Sequence, residues 1–179
     1  MIFLTVGTQF SFDRLVKAVD IAVERGHITE QIYAQIGESS YRPHNFGVIS
    51  SLEKPLFDKY IHQASCIISH AGIGTIAMVL NNNKPLLVMP RRKKYGEVVN
   101  DHQIAIAKKF EEFGHILVAY REEDLPKKIE QLKYFIPQPR TNNTKIIINI
   151  ISNFLSSINK FPLNPTEYDN VTQTPRHNR

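Results

Sequence analysis

One stretch, Cys66-Ile-Ile-Ser-His-Ala-Gly-Ile-Gly-Thr-Ile76, organises the rest of this chain. Its apolar start predicts a short strand buried on both faces, and its apolar end, from Thr75 onward, predicts a helix. The residues between, His70 to Gly74, predict a tight turn whose two glycines can adopt positive φ and let the main chain approach a ligand. Because a helix N-terminus offers free N–H groups, the turn predicts an anion site, most often for a phosphate. A strand-to-helix turn that needs glycine only for its geometry is the alternative.

The size and composition of the chain limit its class. Its 179 residues suffice for one domain with a sizeable core, and 42% hydrophobic with 22% charged residues is typical of a globular protein. Cys66 is the single cysteine, which excludes an internal disulfide and is typical of a reducing compartment. The start, Met1-Ile-Phe-Leu4, lacks the features of a signal peptide, and no apolar run approaches the roughly 20 residues of a spanning helix. We therefore expect a cytoplasmic protein whose membrane contact is peripheral.

The net charge of +5 has its densest point at Arg91-Arg-Lys-Lys94. Such a cluster suits nucleic acid, anionic lipid or a phosphorylated substrate, and a solvated loop is the simpler interpretation for four residues. Neither zinc-ligand spacing nor an aromatic RNA-binding pattern accompanies it. We therefore expect no nucleic-acid partner.

Strand-like and helical stretches alternate along the chain. The predicted strands are Ile2–Val6, Gln31–Ile36, Phe46–Ile49, Cys66–Ile68, Pro85–Met89 and His115–Ala119. Amphipathic helical stretches lie between them, which predicts an α/β fold: a Rossmann-like parallel sheet of about six strands flanked by helices. The predicted domain spans 1–158, and residues 159–179, poor in large apolar side chains, predict a disordered tail.

Ligands in parallel α/β sheets bind at the carboxyl ends of the strands. That rule brings three segments to one edge: Gly7-Thr-Gln9, the turn Ser69–Gly74 and the loop after Met89. Their convergence favours the phosphate interpretation of the glycine turn over the purely geometric one.

Three motifs, in order, resemble the donor-binding half of GT-B glycosyltransferases, of the glycosyltransferase family 28 C-terminal domain type. They are Ser69-His-Ala-Gly-Ile-Gly-Thr75, Lys84-Pro-Leu-Leu-Val-Met-Pro90 and Asn100-Asp-His-Gln103. The chain is similar to the small subunits of two-component sugar transferases, which act on the eukaryotic dolichol-linked carrier or in bacterial capsule and exopolysaccharide assembly. Its opening, Thr5-Val-Gly-Thr-Gln-Phe10, and the run from Met89 to Gln103 resemble the bacterial kind more.

The resemblance implies an inverting, metal-independent hexosyltransferase with a UDP-sugar donor and no cofactor. Negative charge builds on the departing UDP, and without an Asp-x-Asp motif its stabilisation falls to helix N-termini and hydrogen-bonding side chains. The residues implied to bind the diphosphate are Gly7, Thr8, Gln9, His70, Gly72, Gly74 and Thr75. A histidine packed at a strand end is the alternative for His70.

The resemblance also assigns the donor sugar to Asp101, His102 and Gln103. A carboxylate and an amide together accept and donate hydrogen bonds, which suits paired hydroxyls. The alternative is that Asn100 or Asp101 merely caps the following helix.

One position departs from the family pattern. Several relatives carry a glutamate for the ribose a few residues after the glycine turn, where this chain has Met78. Ribose recognition must then come from elsewhere or be looser, and base recognition is expected from main chain near Val48–Ser50.

A GT-B enzyme has two such halves, and this chain corresponds to one. It lacks an evident catalytic base, since only His70 and His102 fall on the predicted edge. The resemblance therefore implies a membrane-anchored subunit that brings the lipid-linked acceptor and the base. The predicted helix 141–158 carries more apolar side chains than one core-facing stripe needs, so it is a candidate docking surface, with a fully buried closing helix as the alternative.

Two other functions stay open. A regulatory or scaffold protein of the same fold, binding nucleotide without catalysis, is favoured by Met78. A dinucleotide-dependent enzyme is weaker, because Gly7-Thr-Gln-Phe10 lacks the three-glycine fingerprint. The sequence does not identify the donor sugar among galactose, glucuronate, glucose and N-acetylglucosamine.

Overall fold

The structure is a computed structural model that describes residues 1–139 and 151–152. All the elements below belong to the unit Met1–Pro139. Of the predicted helix 141–158, only the exposed, helical Ile151 and Ser152 are described, and the predicted tail 159–179 lies outside the described residues. The predictions for those two segments and for the boundary at residue 158 stay predictions.

Six strands and five helices alternate along this unit. The strands are β1 (Ile2–Thr5), β2 (Ile32–Gln35), β3 (Val48–Ile49), β4 (Cys66–His70), β5 (Leu86–Met89) and β6 (Leu117–Val118). The helices are α1 (Asp13–Glu24), α2 (Lys54–Gln63), α3 (Ile73–Asn81), α4 (His102–Glu112) and α5 (Leu125–Leu132). Short 3-10 turns at Lys93–Tyr95 and Glu122–Asp124 complete the path.

The strands form one parallel sheet in the order β3-β2-β1-β4-β5-β6. β1 lies between β2 and β4, so its Thr5 pairs with both Gln35 and Ser69. The chain leaves β3 at one edge and returns to the other side of β1, which makes β1/β4 the point where the strand order reverses. The predicted fold class, a six-stranded Rossmann-like sheet flanked by helices, is confirmed. The two outermost strands, β3 and β6, are only two residues long.

Helices cover both faces of the sheet, so the central strands are buried throughout. Residues 2–5, 66–70 and 86–89 are buried without exception, as expected for parallel strands that read as continuous apolar runs. On one face, alternate residues such as Leu4 and Ile68 pack with α1 and α5. On the other face, Phe3 and Ile67 pack with α2, α3 and α4. Each large apolar side chain buried in this way contributes about 1.5–3 kcal/mol.

The central strand is longer than the sequence predicted. β4 continues to His70, which pairs in register with Met89 of β5, and α3 already begins at Ile73. The predicted turn of His70–Gly74 is therefore wrong in its bounds, because only Ala71 and Gly72 connect the two elements. Gly74 lies in the first turn of the helix. His70 is consequently fixed by the sheet itself, not by a mobile turn.

Candidate functional site

The loops that follow β1, β4 and β5 meet at the carboxyl edge of the sheet. Residues of all three are in direct contact: the His70 ring packs against Gly7 of the first loop, and the Arg91 guanidinium donates to Val6 and Phe10. The three segments that the sequence placed on one edge are thus brought together. The site is built around two buried side chains, His70 and Arg91.

His70 is held in a defined orientation by its neighbours. The hydroxyl of Ser69 donates its single proton to the main-chain oxygen of Thr5 at 2.7 Å, while the Nδ1 atom of His70 lies 3.2 Å from Ser69 Oγ. Nδ1 must therefore carry the proton and donate to that oxygen, which leaves Nε2 as an acceptor. Burial and the nearby positive charge of Arg91 lower the pKa of His70 to about 3. The imidazole is neutral near pH 7, so donation from Nε2 to a phosphate requires protonation or a change of tautomer.

Two glycines make room for this ring. A Cβ on Gly72 would lie 2.2 Å from His70 Nε2, and a Cβ on Gly7 would lie 2.8 Å from His70 Cε1. Gly7 also has φ of +77°, whereas Gly72 has φ of −80° and Gly74 is not among the residues with positive φ. The prediction of positive φ for the two glycines of the central turn is therefore wrong. Glycine is needed at position 72 for a different reason, which is to leave space beside the imidazole.

The N-terminus of α3 has no side-chain cap and is exposed at Ile73 and Gly74. The helix begins at Ile73. Its first internal hydrogen bond runs from Ile76 N to Gly72 O at 3.0 Å, so the preceding N–H groups of the first turn have no intrahelical acceptor. A Cβ on the exposed Gly74 would meet nothing within 4 Å, and Thr75 is half-buried. This is the geometry that accepts an anion.

Arg91 connects the first and third loops from inside the protein. Its Nη2 atom donates to Val6 O at 2.7 Å and to Phe10 O at 2.6 Å, and its guanidinium lies 5.0 Å from the Phe12 ring centroid. The side chain is buried, and burial lowers its pKa to about 10. The solvated-loop interpretation of the basic cluster is therefore wrong for Arg91, although it fits the exposed Lys93 and Lys94. The signal available in the sequence was its position, two residues after a buried strand.

An ion pair that the sequence analysis missed fixes the loop after β5. Arg14 of α1 binds both carboxylate oxygens of Glu97, at 2.7 and 2.9 Å, and donates to Pro90 O at 3.0 Å. Glu97 Oε2 also accepts from the main-chain N–H of Arg92 at 2.8 Å. Bidentate geometry and partial burial make this pair a stronger restraint than an exposed ion pair. The loop that carries Arg91 is thereby tied to α1.

The three residues expected to contact the sugar lie together where α4 begins. Gln103 is buried, and its Oε1 accepts from the main-chain N–H of Arg91 at 3.1 Å. Asp101 is exposed and accepts from Lys93 N at 2.7 Å. His102 is exposed, and its N–H donates to Asn100 Oδ1 at 3.1 Å, so Asn100 satisfies the first N–H of the helix as the alternative interpretation had it.

The remaining predicted contacts surround the site. Thr8 and Gln9 are exposed on the first loop. Met78, the departure from the family pattern, is half-buried and packs against the core shared with α2, α3 and α4. A cavity of about 150 Å³ lies at the ends of β2 and β3; it is lined by Ile36, Gly37, Arg42, Val48 and Ser50. Gly37 approaches the first loop closely, since a Cβ there would lie 3.3 Å from Gly7 O.

Within the described ranges, no three His, Cys, Asp or Glu side chains are grouped so that they could hold a metal ion. Over the same ranges, none of the helices has the length and apolarity needed to cross a bilayer.

Comparison with known proteins identifies the family. Residues 1–159 match the model of the glycosyltransferase family 28 C-terminal domain. The chain belongs to this family. The human UDP-N-acetylglucosamine transferase subunit ALG13 is 32% identical to this chain over 124 residues. The match covers 64% of this chain and 10% of the human protein. The subunit of the same name from Candida glabrata is 33% identical over 95 residues, 51% of this chain and 44% of that protein. This chain thus spans less than half the length of either relative.

Solved structures of low identity share the fold. MurG from Acinetobacter baumannii superposes with a TM-score of 0.58 at 21% identity, covering 84% of this chain and 49% of MurG. The solution structure of ALG13 gives a TM-score of 0.55 at 20% identity, covering 80% of this chain and 91% of that chain. The family 28 domain therefore has the architecture of one half of a GT-B glycosyltransferase.

Proposed function

We propose that this family 28 domain is the donor-binding subunit of an inverting, metal-independent UDP-sugar transferase. In this function a hexose or N-acetylhexosamine passes to a polyprenyl-diphosphate-linked sugar carried by a membrane-anchored partner. The observation that carries the proposal is the convergence of the first loop, the open N-terminus of α3 and the start of α4 on one carboxyl edge. A diphosphate at the helix N-terminus would lie between the first loop and the segment that begins α4.

The chemistry required of this subunit is to stabilise the departing UDP. The free N–H groups of Ile73 and Gly74 and the hydroxyl of Thr75 are proposed to bind the diphosphate, with Thr8 and Gln9 contacting it from the first loop. Fixed donors of this kind need no reorganisation as charge develops on the leaving group. A diphosphate bound beside His70 would raise the pKa of its ring, because a nearby anion favours the charged imidazole.

The donor sugar is proposed to lie against Asp101, His102 and Gln103. The carboxylate of Asp101 and the ring of His102 are exposed, while the Oε1 atom of Gln103 is already used by Arg91. The amide nitrogen of Gln103 is the group left to donate to a sugar hydroxyl. The uracil would then occupy the cavity beside Val48 and Ser50, with ribose held by groups other than Met78.

The partner is proposed to supply the acceptor and the catalytic base. Within the described part of the chain, the two histidines at this edge are the buried His70 and the exposed His102, and neither is paired with a carboxylate. Four residues in the segments at this edge have exposed apolar side chains; they are Phe10, Ile73, Tyr95 and Val99. Exposed apolar side chains near a site are available for contact with another protein.

The predicted helix 141–158 is proposed as a further docking surface. Deletion of residues 141–179 is expected to abolish partner binding and sugar transfer, whereas deletion of 161–179 is expected to reduce them much less. Co-purification with the partner and a transfer assay measure both effects. Polar substitutions within 141–158 provide the control: if melting temperature and partner binding fall together, the helix serves the core and the docking site lies elsewhere.

The comparisons indicate which donor to test first. The relatives named UDP-N-acetylglucosamine transferase subunits make UDP-N-acetylglucosamine the first donor to test. For the acceptor, the resemblance of the run from Met89 to Gln103 to the bacterial kind makes a capsule or exopolysaccharide intermediate the first to test, with a dolichol-linked sugar as the second. The proposed location is accordingly the cytoplasmic face of a membrane, reached through the partner.

The decisive experiment measures sugar transfer to a polyprenyl-diphosphate sugar from a panel of UDP-sugars, with and without the partner. Transfer that needs both subunits and one preferred donor is the expected result. UDP binding without transfer under any combination would favour the second candidate, a regulatory nucleotide-binding protein, which the apolar Met78 in the ribose position supports. Preferential binding of NAD over UDP would overturn both.

A further inference from the structure

Arg91 connects the first loop with α4 through its own groups. Its side chain donates to two carbonyl oxygens of the first loop, those of Val6 and Phe10, and its main-chain N–H donates to Gln103 Oε1. These contacts span segments on either side of the α3 N-terminus. A single buried residue thus connects the part of the edge expected to bind phosphate with the part expected to bind the sugar.

The positive charge of Arg91 is only partly compensated. Buried charges are normally paired with an opposite charge, yet the hydrogen-bond acceptors of this guanidinium are two neutral carbonyls. The carboxylate of Glu97 acts on it electrostatically, and both oxygens of Glu97 are already bound by Arg14. The buried Nε atom of Arg91 has no hydrogen-bond partner within the described residues. Such an arrangement stays stable because loop and core hold it, and it leaves a net positive charge beneath the site.

We propose that Arg91 is a positioning residue of the donor site, whose guanidinium fixes the first loop in its ligand-binding conformation and supplies buried positive charge beneath the bound diphosphate. This inference rests on the proposed function. The first loop has one exposed run, Thr8–Ser11, between buried β1 and the buried Phe12, and the bond from Arg91 to Phe10 O anchors that run near its middle. The bond to Val6 O anchors its start.

The two contributions can be separated by substitution. Arg91→Lys keeps the charge but replaces a planar fork with a single ammonium, which is poorly matched to two carbonyls at once. Arg91→Met removes both the charge and the bonds while keeping an unbranched apolar stem. Arg92→Met is the matched control, because it also removes one cation from the same loop, and within the described residues the Arg92 side chain makes no hydrogen bond to the first loop.

Three measurements on the whole chain test the proposal. Amide hydrogen exchange at residues 7–11 should accelerate in both Arg91 variants and stay unchanged in Arg92→Met. The pKa of the His70 ring, followed by NMR, should rise in Arg91→Met, since the repulsion by Arg91 is lost, and stay low in Arg91→Lys. UDP affinity should fall about tenfold or more in Arg91→Met, the scale of one lost charge-assisted hydrogen bond, and less in Arg91→Lys.

Several results would overturn the proposal. A folded Arg91→Met with unchanged exchange at residues 7–11 would do so, as would UDP affinity equal to that of Arg92→Met. If Arg91→Met does not fold, the same two measurements on Arg91→Lys test the proposal. If neither variant folds, Arg91 is needed for folding and the proposed role in the donor site is refuted. Failure of the unmodified chain to bind UDP would instead refute the proposed function. Hydrogen exchange and the titration of His70, both measured without ligand, would still show whether Arg91 fixes the first loop.

Discussion

Gly72→Ala is expected to destabilise the protein through a collision with one ring. The added Cβ would lie 2.2 Å from His70 Nε2, 2.8 Å from Cδ2 and 3.1 Å from Cε1. The backbone at position 72, with φ of −80° and ψ of 129°, is comfortable for alanine. The whole cost therefore comes from the imidazole, whose Nε2 atom must move by at least about 1.2 Å to reach ordinary van der Waals separation.

The size of the effect follows from the space around the ring. His70 cannot retreat easily, because Gly7 also lies close to its Cε1 atom and Ser69 holds Nδ1. Overpacking of this kind costs about 1–3 kcal/mol, and the loss of glycine flexibility in the unfolded chain returns about 0.4–1 kcal/mol. A net loss of about 1–2 kcal/mol should lower the melting temperature by about 2–8 °C in a chain of this size.

Gly74→Ala is the matched control, two residues along the same segment. Its Cβ would meet nothing within 4 Å, and the position is helical, so the variant should gain about 0.5–1 kcal/mol. Thermal and denaturant unfolding of both variants, followed by circular dichroism, gives the comparison. UDP titration of the same proteins then shows whether displacement of His70 also weakens binding.

A double-mutant cycle provides the refutation. In a His70→Ala background the ring is gone, so the added methyl of Gly72→Ala should cost nothing, giving a coupling free energy of about 1–3 kcal/mol. If Gly72→Ala destabilises the protein equally with and without the ring, or matches Gly74→Ala, then glycine is needed at position 72 for another reason.

Three further outcomes are expected from the site. Gly74→Val should leave the fold intact but weaken UDP binding, because its side chain projects into the open space where an anion would lie; unchanged binding in calorimetry would mean that the site is misplaced. Gln103→Ala should weaken UDP-sugar binding more than UDP binding, and Gln103→Glu, which keeps an acceptor for Arg91 N, should show the same selectivity with less loss of stability; equal losses for both ligands would give Gln103 a structural role. Since the folded pKa of His70 is about 3 and the unfolded value 6.5, the unfolded state takes up the proton first, so stability should fall below pH 6.5 by up to about 1.4 kcal/mol per pH unit, and His70→Gln should flatten that slope in denaturant titrations at pH 4–6.5.

The order of elements could be predicted from the sequence because strands buried on both faces leave unmistakable apolar runs. Cys66-Ile-Ile68 and Leu86–Met89 are examples, and both are strands in the structure. The error at the end of β4 has a physical cause: Ser69 and His70 are polar, yet they are buried and continue the ladder beside Val88 and Met89. A prediction based on hydrophobic periodicity ends a strand where polar side chains begin. It does so even where neighbouring loops provide hydrogen-bond partners that allow those side chains to be buried.

The candidate site was predictable in outline and not in its contacts. The rule that ligands bind at carboxyl ends brought the correct loops together, since it depends only on strand direction. The contacts of Arg14 and Arg91 were not predicted, because their partners are distant in sequence. Glu97 is 83 residues from Arg14, and Phe10 and Val6 are 81 and 85 residues from Arg91. A charged residue in a sequence looks solvated until the fold supplies its acceptors. The role of Gly72 was hidden for the same reason, because it depends on a ring orientation fixed by Ser69.

The shortness of the outermost strands has a consequence for association between copies of this protein. An open sheet edge recruits further strands through its unpaired N–H and C=O groups. Here each edge strand, Val48–Ile49 and Leu117–Val118, is two residues long and so offers only one or two such bonds. At a net of about 1 kcal/mol per bond they fall short of the 4–15 kcal/mol lost on association. The shortness of both outer strands therefore disfavours growth of the sheet by strand addition.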